Sequence, residues 1–349
     1  MASTIQCLEW SSLTRAINEI KSPRTFLKNL LFGNHDPQPT EHIEFGVFVG
    51  DREVAPFVAR DGEAIMVRGY GEVFQTVSPP NIRIKRPVRP SELLFNRHPG
   101  DTIFVSGQDT IISAAEAHVA RDVQRLADMV SNAEEYLCAQ AIRGLISYTA
   151  ADQANFQIMI PKPAGNTVVL STFWDDPAGS PSTDVMTAKS LISDEVGLAP
   201  TDVILGSEAA AAFLSNAEVR GDLDTRNVLV GGLDLTQQFR DDGAIFLGTL
   251  YGLRWWSYPA TVSVAGTPYD LIRAKYAEFV CVSPAAENTL YYGAIPDLAA
   301  LEGRRIQAER FSKSWMQEDP SVMHMLVHSR PLPIPRRPGS MVSMKVVSG

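Results

Sequence analysis

SAAEAHVARDVQRLADMVSNAEEYLCAQAIRGLIS, residues 113–147, is one unbroken helical signal in a chain otherwise rich in short strand-like runs. Ser113 and Glu116 have the spacing of a capping box, whose hydroxyl and carboxylate satisfy the first free backbone amides. Val119, Val123, Leu126, Val130, Ala133, Leu137, Ala141 and Leu145 then recur every three or four residues with no proline between them. A helix of roughly 32 residues would run about 48 Å, about three times the mean length. Burying that stripe contributes on the order of 10–20 kcal/mol gross, before chain entropy is charged. A coiled coil wants bulkier seam residues than Ala133 and Ala141. A bundle wants further helices of matching length, and the sequence has none. FQIMIP (156–161) and TVVLSTF (167–173) return at once to strand character. The helix is therefore expected as a spine laid across a sheet.

Upstream, residues 1–42 read as an arm. SSLTRAINEI (11–20) spaces Leu13, Ile17 and Ile20 as a short amphipathic helix. SPRTFLKNLLFG (22–33) reads as a second, with Ser22 at the N-cap, Pro23 at the first position and Gly33 as its stop. Helices this short need a surface to lie on. Residues 43–95 are strand-like: APFVAR and EAIMVR are joined by Asp61-Gly62, a two-residue hairpin turn. NIRIKRPV (81–88) alternates Ile82 and Ile84 with Arg83 and Lys85, giving one apolar and one basic face. A long hairpin with so little core of its own is expected to protrude.

Downstream, Thr183 is a candidate cap for the helix ending at Gly197, DVILG (202–206) a strand, and Ser207 a candidate cap for SEAAAAFLSN. RPLPIPRRP (330–338) has the P-x-x-P spacing of an SH3 ligand. SMVSMKVV resumes β character after it, so the prolines are expected in an extended sheet edge.

Composition narrows the function. The 349 residues include 45% hydrophobic and 20% charged side chains, as in ordinary globular proteins with room for two or three domains. A net charge of −9 argues against a dedicated nucleic-acid binder. Cys7, Cys138 and Cys281 are far apart and odd in number, which speaks against a disulfide framework or a zinc site. AIFLGTLYGL (244–253) is half the ~20 residues of a membrane helix, and no signal pattern opens the chain, so a soluble cytosolic product is expected.

Chemical motifs are sparse. No Walker-type loop occurs, and Gly69 and Gly71 lack the third glycine of a dinucleotide site. Ser207 stands at a strand-to-helix turn, but Leu205 and Ala209 replace the glycines of a nucleophile elbow. His324 and His328, on a strand, would lie about 13 Å apart, too far to share a metal, and are expected as surface or interface residues. Asp175-Asp176, Asp241-Asp242 and Glu318-Asp319 show no ordered ligand ladder. No cofactor or metal is expected. Arg83, Lys85, Arg86 and Arg89 form the one basic run; lacking interleaved aromatics, it reads as a protein contact.

The order of elements resembles the major capsid protein of tailed bacteriophages, the lambda-type major capsid protein E group. SPRTFLKNLLF and the closing ERFSKSWMQEDPSVMHMLVHSRPLPIPRRPGSMVSMKV carry the most specific part of the resemblance; the middle matches by pattern. The resemblance implies an α+β fold, that of tailed-phage and herpesvirus capsid proteins. Residues 1–42 would be the N-terminal arm and 43–95 an extended β-hairpin loop. Residues 96–180 would form a peripheral domain with spine helix 111–147, 181–304 an axial domain, and 305–349 a return to the peripheral domain. It further implies hexamers and pentamers in an icosahedral shell around double-stranded DNA, assembled in the host cytoplasm with a scaffolding protein, a portal complex and, in some members, a decoration protein. Phe26, Leu30, Asp61, Gly62, Arg83, Lys85, Arg86 and Arg89 are the expected contacts between copies. The arm begins almost at once, so separate scaffolding and little N-terminal cleavage are expected. The alternatives are an encapsulin-like nanocompartment shell and, remotely, a serine hydrolase using Ser207.

Overall fold

The computed structural model describes residues 25–48, 72–89, 108–149, 155–222, 238–239, 243–297 and 307–349. Its axis is helix α2, Gln108–Arg143, which follows the short arm helix α1, Phe26–Leu31. At 36 residues α2 runs about 54 Å. It stops at Gly144, whose φ of +86° is a left-handed conformation that a side chain would strain. Leu145, expected at the end of the stripe, instead opens a strand and is 40% exposed. Once Gly144 breaks the helical period, the next side chain no longer falls on the stripe.

The spine crosses two layers. Toward its N-terminal end, Val123, Leu126, Ala127 and Val130 pack on a sheet ordered β16-β17-β4, made of Phe311–Gln317, Val322–Ser329 and Ile82–Val88. Toward its C-terminal end, Leu137, Cys138, Ala141 and Ile142 join a larger core. There the spine meets α1 and a sheet ordered β1-β15-β18: Asn34–Pro37, Asn288–Tyr292 and Pro331–Pro335. The proline-rich segment is thus the edge strand β18, with Leu332 and Ile334 fully buried, as a strand short of backbone donors requires.

A seven-stranded sheet, β7-β19-β14-β8-β11-β10-β9, makes a second core. Its strands are Thr167–Val169, Met341–Lys345, Tyr276–Val280, Asp202–Leu205, Leu253–Ser257, Ile245–Leu250 and Gln238–Phe239. Only β7–β19 and β8–β11 run parallel. Helices α3, Pro181–Val196, and α4, Ser207–Ser215, bury Val185, Ala188, Ile192, Ala209 and Phe213 against it. Trp174, Phe213 and Trp255 cluster there, the last two stacked at 4.0 Å. The closing segment, residues 307–349, contributes strands to three sheets, with β19 in this one.

Caps differ from expectation by a few residues. Ser180, not Thr183, is the N-cap of α3, because Pro181 already has the φ of a first helical residue; Gly197 ends it in the left-handed region as expected. Gly206, not Ser207, caps α4. A Cβ at Gly206 would lie 2.1 Å from the Arg273 carbonyl oxygen, so only glycine fits. Phe32 is the C-cap of α1, which places Gly33 at the position just past it, as expected. Ser22, Pro23 and the amphipathic segment 11–20 lie outside the described residues. Three two-stranded ribbons complete the fold: β2–β3 (Ile43–Phe48, Glu72–Val77), β5–β6 (Leu145–Thr149, Asn155–Met159) and β12–β13 (Thr261–Val264, Thr267–Asp270).

Candidate assembly site

Glu134 and Glu135 are consecutive on α2, so their side chains leave the helix about 100° apart. Both are fully buried. Glu134 lies on the apolar stripe itself, four residues after Val130 and three before Leu137. It pairs with Lys28 of α1 at 2.8 Å and Arg310 at 2.9 Å. Lys28 Nζ also donates to Tyr292 Oη at 3.1 Å, and Arg310 to Ser131 Oγ at 2.9 Å. Burial alone would raise the Glu134 pKa, but the two cations outweigh it and hold the carboxyl below its ordinary value. Three distant segments, arm, spine and the approach to β16, therefore meet at one carboxylate.

Glu135 turns toward the arm backbone. It accepts from Leu27 N at 2.6 Å, Lys28 N at 3.0 Å and Tyr258 Oη at 3.0 Å. Burial dominates these hydrogen bonds and pushes its pKa up to about 7. Together the two glutamates set where α1 lies on the spine. Sequence reasoning missed this pair, and no local signal marks it: Lys28 and Arg310 are 106 and 176 residues from Glu134.

Phe26, expected at a contact between copies, is 1% exposed within its own chain. It packs on Trp256 at 5.3 Å and Tyr258 at 5.1 Å, because the glutamate anchor draws α1 into the core. Leu30 is partly buried against the same core. Asp61 and Gly62 lie outside the described residues. Strand β4, read as part of the extended loop, pairs with β17, and its apolar Ile82 and Ile84 face the spine. Arg86 turns the same way and pairs with Asp122 at 2.7 Å. Arg83, Lys85 and Arg89 are exposed.

His324 and His328, expected as surface or interface residues, are buried within their own chain. Neighbouring strands cover β17 on both sides. His324 contacts Gln317 at 3.1 Å and His328 contacts Asn81. Burial, then the charges of Arg83 and Arg330, lower the His328 pKa to about 4. Among the described residues no cluster of His, Cys, Asp or Glu is placed to hold a metal, no hydrogen bond joins Ser207 to a histidine, and no helix is long and apolar enough to cross a membrane.

Outward-facing apolar side chains mark the ribbons and edges: Phe74 on β3 is 74% exposed, Met159 on β6 71% and Met316 on β16 65%. A groove of about 750 Å³ lies between the spine at Met129 and Tyr136, the β5–β6 ribbon and Val262 and Val264 of β12. Among the described residues, no charged side chain lines it.

Residues 9–346 match the family described as phage major capsid protein E. No curated protein matches the chain. Among solved structures, a protein assigned as the capsid protein of a prophage from E. coli CFT073 superposes with a TM-score of 0.71 at 17% identity, over 97% of this chain and 99% of that one. A phage-related protein from Bordetella bronchiseptica RB50 gives 0.57 at 15%, over 97% of each chain. The capsid of cyanophage A-1(L) gives 0.54 at 12%, over 95% of each. At these identities the likeness speaks for the shared fold.

Proposed function

The chain belongs to the phage major capsid protein E family, and from that premise we propose that its copies form hexamers and pentamers that close into an icosahedral shell around double-stranded DNA. The observation that carries this reading is the uneven closure of the chain. Its cores are closed to solvent, yet Phe74, Met159 and Met316 stand exposed on separate ribbons and edges. Scattered apolar side chains on thin ribbons gain burial only from a neighbour, and many modest contacts sum by multivalency into a stable particle. An acidic subunit also encloses DNA without gripping it, since phosphate contacts dominate such affinity.

In this reading the arm and the hairpin rooted in β2–β3 reach neighbouring copies, while residues 181–304, which supply β8, β9, β10, β11 and β14 of the seven-stranded sheet, form the axial domain at the centre of each capsomer. Arg83, Lys85 and Arg89 lie at contacts between copies. The subunit is structural rather than catalytic. Assembly takes place in the host cytoplasm with a scaffolding protein, and the shell joins a portal complex and, on its outside, a decoration protein. Electron microscopy of the expressed protein, alone and with its scaffolding partner, is the test. Lattices with hexameric units are expected, and a chain that stays monomeric in both conditions refutes the proposal.

A further inference from the structure

The outer face of the β4–β17–β16 sheet carries an inference that rests on the shell reading above. Trp315 on β16 is 37% exposed at the level of His324 on β17, with the two rings 5.2 Å apart. Lys85 Nζ reaches over from β4 to 5.2 Å from the indole centroid, and Lys313 Nζ stands 5.8 Å from it. The aromatic that the basic run lacks in sequence is therefore supplied by a strand more than 200 residues downstream. The ring is held by groups on all three strands, so little side-chain entropy remains to be lost on docking. Its indole N–H has no hydrogen-bond partner among the described residues, and Arg83 and Arg89 have no ion-pair partner there. The acidic groups nearby are Asp297, paired with Lys313 at 2.5 Å, and Glu318 and Asp319 in the β16–β17 turn.

A pinned, half-open tryptophan with cations around it has the composition of an interface anchor. Duplex DNA would satisfy the cations but offers no unstacked base for the ring. A protein carboxylate can satisfy both the cations and the indole N–H. The chain itself has 40 acidic against 31 basic residues, so the rest of a second copy carries an excess of carboxylates able to meet the cations of this face. We propose that this face docks an acidic surface of a second copy, with Trp315 as the anchoring residue.

The test uses the full-length chain, with association followed by sedimentation and microscopy at about 50 mM and about 500 mM salt, and binding to a 20-base-pair duplex measured alongside. Arg83→Glu with Lys85→Glu is expected to weaken association about tenfold to a hundredfold at low salt, and by much less at high salt, where the Debye length falls to a few ångströms. Trp315→Ala is expected to weaken it about thirtyfold at both salts, with Trp315→Phe recovering part of the loss. Unchanged melting temperatures show that the variants fold. Variants that associate like the wild type overturn the inference and leave the shell reading standing. Loss of duplex binding with association intact overturns it in favour of a nucleic-acid face. A wild type that never associates contradicts the shell reading, and this inference with it.

Discussion

The seven-stranded sheet and the junction beneath the arm are both buried, yet they are closed by opposite means. In the sheet, Trp174, Phe213, Trp255 and Phe279 fill the space between strands and helices with apolar rings. At the junction, Glu134 meets Lys28 and Arg310, and Glu135 meets the arm backbone. Apolar packing is forgiving of direction, because burial depends on area. A buried carboxylate is not, because each lone pair must find a donor. The sheet therefore supplies stability, and the junction supplies orientation. The orientation it supplies is that of α1 on the spine. Buried ion pairs fix geometry in this way even when they contribute little net stability.

The largest effects should fall on both regions alike. Trp255→Ala empties a packed aromatic site and should cost about 3–5 kcal/mol in urea unfolding. Glu134→Ala should cost a similar ~3–5 kcal/mol, because it strands two buried cations. The comparison breaks if only one of the two is costly.

The next effect is pH dependence, and it tests the junction against the β17 histidine. Glu135 has a folded pKa raised to about 7, so its contribution is full below its ordinary pKa and is lost as pH rises through 7. His328 has a folded pKa lowered to about 4, so its contribution is full above its ordinary pKa and is lost as pH falls through 4. Each is on the order of 3 kcal/mol, with opposite sign, over roughly pH 4.5 to 6.5. Chemical unfolding of the wild type should be nearly flat across that window. Glu135→Gln should gain stability as pH rises, and His328→Asn should lose it. Two flat variants would show that neither group is buried as described.

Replacing the whole ion triad, Lys28→Met with Glu134→Leu and Arg310→Met, sharpens the contrast. Stability should fall by no more than about 1 kcal/mol, and it could rise by about 1–4 kcal/mol. Proteolysis in the arm should nevertheless increase, since its register on the spine is no longer specified. Smallest of all, Ser207→Ala at an exposed helix start should change unfolding stability and assembly by no more than about 0.5 kcal/mol. A lost hydrolytic activity in that variant would revive the enzymatic alternative.

What was legible in sequence followed from local period. The stripe through Val123, Leu126 and Val130 located the spine, and the β character after Gly339 located the proline-rich strand at a sheet edge. What was not legible depended on contacts distant in sequence. Nothing near Glu134 announces Lys28 or Arg310, and nothing near Phe26 announces Trp256. Alternation along β4 predicted its two faces correctly but not that β17 would take it into a sheet over the spine. His324 and His328 read as surface or interface residues because one strand's pattern does not reveal what its neighbours cover.

The claim beneath all of this is that a chain with closed cores and exposed apolar ribbons completes itself only against copies of itself. Electron microscopy of purified protein at high concentration, alone and with scaffolding protein, measures that directly. Hexagonal sheets, tubes or closed particles are predicted. Compact single molecules under every condition, with Phe74, Met159 and Met316 still open to solvent, would contradict it.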